Sequence, residues 1–313
     1  MSFGALTIRV PPDGWTPDGW DPSLTKEQKM VTTDSVSAKN AIKTPQFWLL
    51  WVVLFCNVTA GIGILEQAAP MIQDFFREGR TSSVDPAAAA GFVGLLSICN
   101  MAGRFVWSST SDVVGRKPIY MGYLGIGMIL YALLALTGNS ATALFVLFAG
   151  IIISFYGGGF ATVPAYLRDL FGTFQVGAIH GRLLTAWSAA GVAGPLIING
   201  FLDAQGTPGQ LTSAAYKPAL LTMVGILAVG FVANLLIRQV ADRFHEQQDE
   251  EVAKTADARA DGSRQEGGVD TKTKTGTSVA TQPMLLTIAW LIVGLPLAYG
   301  IYQTLVKTAS LFG

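Results

Sequence analysis

Hydrophobic positions in this chain run in long uninterrupted blocks rather than alternating or recurring every three to four residues. Seven such blocks occur, at residues 47–68, 87–107, 119–136, 143–167, 179–199, 216–237 and 284–305. About 20 residues at ~1.5 Å each cross ~30 Å of hydrocarbon, so each block predicts a transmembrane span. The spans must be helices, because a lipid interior offers no other partner for the backbone of an open chain. Local signals agree. Thr44-Pro45 and Asp85-Pro86 each place a capping side chain before a proline at the first helical position. Thr137-Gly138-Asn139-Ser140 is a turn between the third and fourth blocks.

Charge sharpens this picture through its distribution. The 313-residue chain has 21 Lys plus Arg and 21 Asp plus Glu, for a formal net charge of zero. That balance argues against nucleic-acid binding, which needs a basic surface. Residues 44–237 carry only 15 charged side chains, and residues 118–167 carry none. Residues 238–283 carry 16. With the N-terminus inside, 16 Lys and Arg fall on the cytoplasmic side, four on the other, and Arg104 within a span. This bias predicts a cytoplasmic N-terminus and a C-terminus on the opposite side. Two cysteines exclude a disulfide scaffold.

Four segments are expected. Residues 1–43 form a cytoplasmic tail with the duplication Pro12-Asp13-Gly14-Trp15 and Pro17-Asp18-Gly19-Trp20. It has no apolar core of the kind a signal peptide needs. Residues 44–240 form a six-span bundle, 241–283 a disordered charged linker, and 284–313 an additional transmembrane helix with the C-terminus.

Asp112-Val113-Val114-Gly115-Arg116-Lys117 fills the tight connection between the second and third spans. An aspartate ending one helix can accept from the start of the next or pair with Arg116. Gly115 permits a sharp reversal. On spacing alone these residues could equally serve only as a topology anchor.

Arg104 is the one basic residue well inside a block. A guanidinium in the membrane interior costs at least ~2.5–3.5 kcal/mol on insertion scales, so it should face a cavity or a partner. Its planar fork suits a carboxylate. The competing reading pairs it with Asp112, about 12 Å along the helix, or snorkels it to the interface. Asn57 and Thr59 are polar groups in mid-span, read first as interhelical hydrogen-bonding groups and second as cavity lining. Glu66 is a candidate coupling carboxylate, with a helix-end residue in an outer polar cluster as the alternative. Tyr156-Gly157-Gly158-Gly159, followed by Pro164, predicts an interruption of the fourth span, through packing or as a hinge. His180 and Arg182 stand at the start of the fifth span. Only one other histidine, His245, exists, so no metal site is expected. Nor is a cofactor or an enzymatic activity, since no catalytic cluster is present.

The Asp112–Lys117 loop resembles the G-x-x-x-D-x-x-G-R-[KR] signature of the major facilitator superfamily, with Ser108 in place of the first glycine. Further stretches extend the resemblance: Lys43-Thr44-Pro45-Gln46-Phe47-Trp48, Asn57 to Gly63, Asn100-Met101-Ala102-Gly103-Arg104, Tyr156 to Pro164, and Gly177 to Arg182. Together these resemble the C-terminal half of the oxalate/formate antiporter branch, with the Pro-Asp-Gly-Trp repeat similar to its central loop.

The resemblance implies an all-α integral membrane fold: a six-helix half of a major facilitator bundle plus one additional transmembrane helix. It implies that Asp112, Gly115, Arg116 and Lys117 act as a conformational latch and that Arg104 binds an anion. A lysine of that branch falls at Trp187 here, so one of two cavity cations is replaced. One cation suits a monocarboxylate better than oxalate. The expected binding residues are Arg104, Trp187, Tyr156 and Asn57.

The function so read is part of a secondary active transporter of small organic anions, located in the plasma (inner) membrane. It would work by alternating access and be incomplete without an N-terminal six-span half or self-association. Its expected partners are a small carboxylate and the lipid bilayer, with no nucleic acid. A seven-span receptor or a non-transporting membrane interaction protein is the alternative from another class.

Overall fold

The computed structural model describes residues 31–32, 34–78, 81–206 and 210–245. The Pro-Asp-Gly-Trp repeat, residues 246–283 of the expected linker and the seventh span lie outside the described residues; the start of that linker, 241–245, is described and holds a 3-10 turn, Asp242–Phe244.

A short helix α1 (Ala38–Ala41) leads into α2 (Pro45–Phe75). A two-residue hairpin, β1 (Arg77–Glu78) with β2 (Thr81–Ser82), connects α2 to α3 (Pro86–Val114). Then come α4 (Arg116–Thr137), α5 (Thr142–Phe171), α6 (Val176–Leu183), α7 (Thr185–Leu202) and α8 (Ser213–Leu236). Six candidate spans result, α6 and α7 together making one. The described chain is therefore an integral membrane bundle of six apolar spans.

Both expected N-caps are present. Thr44 accepts from the Phe47 backbone N–H at 3.3 Å, and Asp85 from that of Ala88 at 2.6 Å, each with proline following. The helices run further than the apolar blocks. α2 continues to Phe75 and α3 to Val114, because helical hydrogen bonding persists beyond the hydrocarbon wherever packing or capping satisfies the ends.

The expected interruption at Tyr156–Gly159 does not occur, and α5 runs unbroken through the glycines and Pro164. The glycines are contact points instead. A Cβ on Gly157 would lie 2.2 Å from the Asn100 carbonyl oxygen, one on Gly158 2.7 Å from Trp107, and one on Gly159 2.3 Å from Asn57 Nδ2. Gly103 faces α5 in the same way, 2.2 Å from the Ser154 carbonyl. The run lets α2 and α3 approach α5 closely, as small residues do between membrane helices. The break falls in the fifth span, at Leu184 between α6 and α7.

α2 is the central helix, packed on α3, α5, α7 and α8, while α3 pairs mainly with α5 and α4 with α8. Tyrosines carry polar tips into this core with partners. Tyr131 donates to the Ala60 carbonyl at 2.6 Å, Tyr120 to that of Gly159, and Tyr166 to Asn234 Oδ1 at 3.1 Å. At the hairpin end, the buried Asp74 accepts from the Leu211 N–H at 2.9 Å and the Tyr216 hydroxyl at 2.8 Å, with Arg77 Nε 3.4 Å away. The described stretch before α2 is packed rather than extended. Thr32 and Val36 donate to the Asp169 and Phe171 carbonyls at 2.9 Å, and Val36, Ala38 and Ala41 are buried.

Candidate functional site

Arg104 lies ten residues before the end of α3, about 15 Å along the helix. It is exposed, on a side of α3 that faces Phe160 of α5. The guanidinium carbon is 5.3 Å from the Phe160 ring centre, within cation–π range. Its Nε donates to Asn100 Oδ1 at 3.3 Å, one helical turn back. No hydrogen bond or ion pair engages the two terminal nitrogens among the described residues. The group is thus held by its inner edge and its face, with its outer edge open. That is the edge that binds a carboxylate bidentately.

Aromatic rings border this cation. Phe160 meets Trp187 edge to face at 4.6 Å, and Tyr156 lies 5.5 Å from Trp187. Tyr156 in turn rests on α2, where Gly61 has no side chain to displace it; a Cβ there would lie 2.2 Å from the ring. Trp187 stands three residues past the Leu184 break. Just before it, Thr185 accepts from Trp51 Nε1 at 2.9 Å, tying α7 to α2. The structure therefore brings Arg104, Tyr156 and Trp187 together and adds Phe160 and Asn100. Asn57 is 4% exposed against Gly159 in the α2–α5 contact, with no partner for its Nδ2 among the described residues.

A larger apolar groove of about 390 Å³ between α3 and α5 is lined by residues such as Leu95, Cys99, Ala102 and Ile151, and not by Arg104. The cation and the aromatic group therefore lie outside this groove.

The Asp112–Lys117 stretch is almost wholly helical. Gly115 alone reverses the chain, with φ +99°, between the end of α3 and the start of α4. Arg116 pairs with Asp112 at 2.5 Å, donates to Ser111 at 2.5 Å and lies 3.6 Å from Asp169 at the end of α5. Lys117 donates to the carbonyls of Leu235 and Ile237 at 2.9 and 2.6 Å, where α8 ends. Asn234 donates back to the Lys117 carbonyl at 3.0 Å. These residues fasten α3, α4, α5 and α8 at one end of the bundle. Asp112 is taken by Arg116, so it does not neutralise Arg104.

Glu66 is exposed near the other end of α2. It accepts from Asn199 Nδ2 at 3.1 Å, and Asn199 Oδ1 accepts from Gln67 at 2.7 Å. Three residues escaped the sequence reading. Asn100 was visible only as part of a motif. Phe160 stood out as one more apolar residue. Asp74 lies beyond the apolar block and finds its partners more than 130 residues away. No group of three His, Cys, Asp or Glu that could hold a metal occurs among the described residues.

The chain belongs to the Major Facilitator Superfamily, whose sequence profile matches residues 3–195 and 79–313. It is similar to an oxalate:formate antiporter of Oxalobacter formigenes, 25% identical over 169 residues, covering 54% of this chain and 39% of that protein. It is also similar to an MFS-type transporter of Escherichia coli (strain K12), 25% identical over 161 residues, covering 50% of this chain and 38% of the relative. The apicoplast pyruvate carrier 1 of Toxoplasma gondii is 24% identical over 200 residues, covering 64% and 36%. The matched region thus spans less than two fifths of each of these relatives.

Proposed function

We propose that this bundle forms one wall of a transporter for small monocarboxylates, with Arg104 as the carboxylate-binding cation. The observation that carries this reading is the half-anchored guanidinium. Asn100 and Phe160 hold its inner edge and face, and its two terminal nitrogens remain open. A charge in the membrane interior is costly unless something compensates it. A carboxylate would do so with two parallel hydrogen bonds.

Trp187 and Tyr156 would close the remaining sides with aromatic surface rather than a second cation. Such a cleft accepts one negative charge and a small apolar substituent, and leaves a second carboxylate uncompensated. Formate and pyruvate fit that description better than oxalate. The names of two relatives, an oxalate:formate antiporter and a pyruvate carrier, support the choice of carboxylate chemistry.

Alternating access is the proposed mechanism. Substrate in major facilitators binds between two six-helix halves near the midplane. α3 and the span made by α6 and α7, which carry Arg104 and Trp187, are the least buried of the described spans. They would face a second six-helix bundle, supplied by an N-terminal half or by another copy. The contacts of Asp112, Arg116 and Lys117 would fasten the cytoplasmic end in one state and loosen in the other. The positive-inside bias supports a cytoplasmic position for that end, and a plasma (inner) membrane location is part of the same proposal.

The test is exchange of labelled formate or pyruvate by the reconstituted full chain, with and without a six-span partner half. Exchange that needs Arg104 and is competed by monocarboxylates better than by oxalate supports the reading. Exchange unchanged in Arg104→Gln, or selective for cations, overturns it.

A further inference from the structure

A second concavity of about 310 Å³ opens along the same helix, between α5 and α6, lined by Pro164, Ala165, Arg168, Val176, Gly177 and His180. Phe160, Pro164 and Arg168 succeed one another at four-residue intervals, so they form one ridge of α5. Arg168 stands about 12 Å along this ridge from Phe160, the ring beneath Arg104.

Three features of this concavity favour an oxyanion. The Arg168 side chain is exposed and makes no hydrogen bond or ion pair among the described residues, whereas the adjacent Asp169 is engaged by Arg116 at 3.6 Å. His180 Nε2 is shielded from solvent and has no hydrogen-bond partner among the described residues. The eight-residue helix α6 begins at this cavity, and no side chain caps its first turn, since Gln175 instead accepts from Ala38 N–H at 2.8 Å. Uncapped N–H groups at a helix start attract anions. The space is available too, because a Cβ on Gly177 would meet nothing within 4 Å. Of the other acids at this end, Asp112 is paired with Arg116 at 2.5 Å and Asp34 lies 3.4 Å from His245.

We infer that Arg168 and His180 form a second anion station, at the end of the bundle that carries Gly115, for a carboxylate or phosphate oxyanion. Resting on the carboxylate reading above, this station would collect substrate at the mouth and hand it along the α5 ridge toward Arg104. A free carboxylate and a lipid phosphate share the chemistry, and experiment can separate them.

The test uses the full chain in nanodiscs, with Cys99→Ser to remove background and Gly177→Cys as a reporter. Its thiol is labelled by an anionic (sulfonatoethyl) and a cationic (trimethylammonioethyl) thiosulfonate. The station predicts an anionic-to-cationic rate ratio at least about tenfold above that of a free thiol, in the range of electrostatic focusing. The ratio should fall in Arg168→Gln and survive in Arg168→Lys, while His180→Ala should weaken protection of the thiol by formate. Formate or inorganic phosphate should slow the anionic reagent in zwitterionic nanodiscs. Slowing by anionic lipid without added formate identifies a headgroup as the occupant of the same site. A ratio equal to the free thiol, or unmoved by Arg168→Gln, overturns the inference. Arg104→Gln should leave the ratio intact, so failure of the carboxylate site and failure of this station are separately visible.

Discussion

Asn100 Oδ1 accepts a hydrogen bond from Arg104 Nε at 3.3 Å while the Asn100 backbone rests on Gly157. One residue therefore couples the position of the central cation to the closest approach of α3 and α5. A helix shift at this crossing would move the guanidinium with it. Asn100→Leu should raise the half-saturating formate concentration several-fold without unfolding the bundle. Titration of formate exchange checks this.

Gly157→Ala places a Cβ 2.2 Å from a backbone carbonyl, a contact no side-chain rotation can relieve. Overpacking of this kind costs about 1–3 kcal/mol. Thermal unfolding in detergent should show a clearly lowered midpoint. Gly177→Ala, where the added carbon meets open space, should leave the midpoint nearly unchanged.

Lys117 caps the carbonyls of Leu235 and Ile237 at the end of α8. Lys117→Ala removes charge-assisted bonds worth about 1.5–3 kcal/mol. Amide hydrogen exchange across residues 235–240 should accelerate, while exchange in α2 should not. Equal protection in both variants would show that the α8 end is held by something else.

Asp74→Ala strips the acceptor from the Leu211 N–H and the Tyr216 hydroxyl and removes the carboxylate 3.4 Å from Arg77 Nε. Breaking a buried pair by removing one partner costs about 3–5 kcal/mol. The variant should unfold at markedly lower temperature. Glu66→Ala, at an exposed carboxylate on the same helix, should shift the midpoint far less.

Much of this architecture is legible in the sequence because lipid imposes it. An apolar block of sufficient length must become a helix, and Thr44-Pro45 and Asp85-Pro86 mark helix starts by local chemistry alone. Arg104 is legible for the same reason, as the one basic residue deep in an apolar block. Three glycines and a proline suggested a broken α5, yet their role depends on Asn100, Trp107 and Asn57, which other helices bring to them. The break at Leu184 had no comparable local signal. Asp74 and Phe160 were silent because their meaning lies in partners from distant parts of the chain. Trp187 was legible only through family resemblance, and its ring centre lies 5.5 Å from that of Tyr156.

The central claim is that the open edge of Arg104 holds a carboxylate. Its most direct measurement is equilibrium binding of labelled pyruvate to the full chain assembled with a six-span partner half, comparing the native protein with Arg104→Gln and Arg104→Lys. Loss of one charge-assisted bidentate pair of about 3 kcal/mol predicts at least a hundredfold weaker binding in Arg104→Gln. Arg104→Lys should fall between, since it keeps the charge and loses the fork. Undiminished pyruvate binding in Arg104→Gln would contradict the claim.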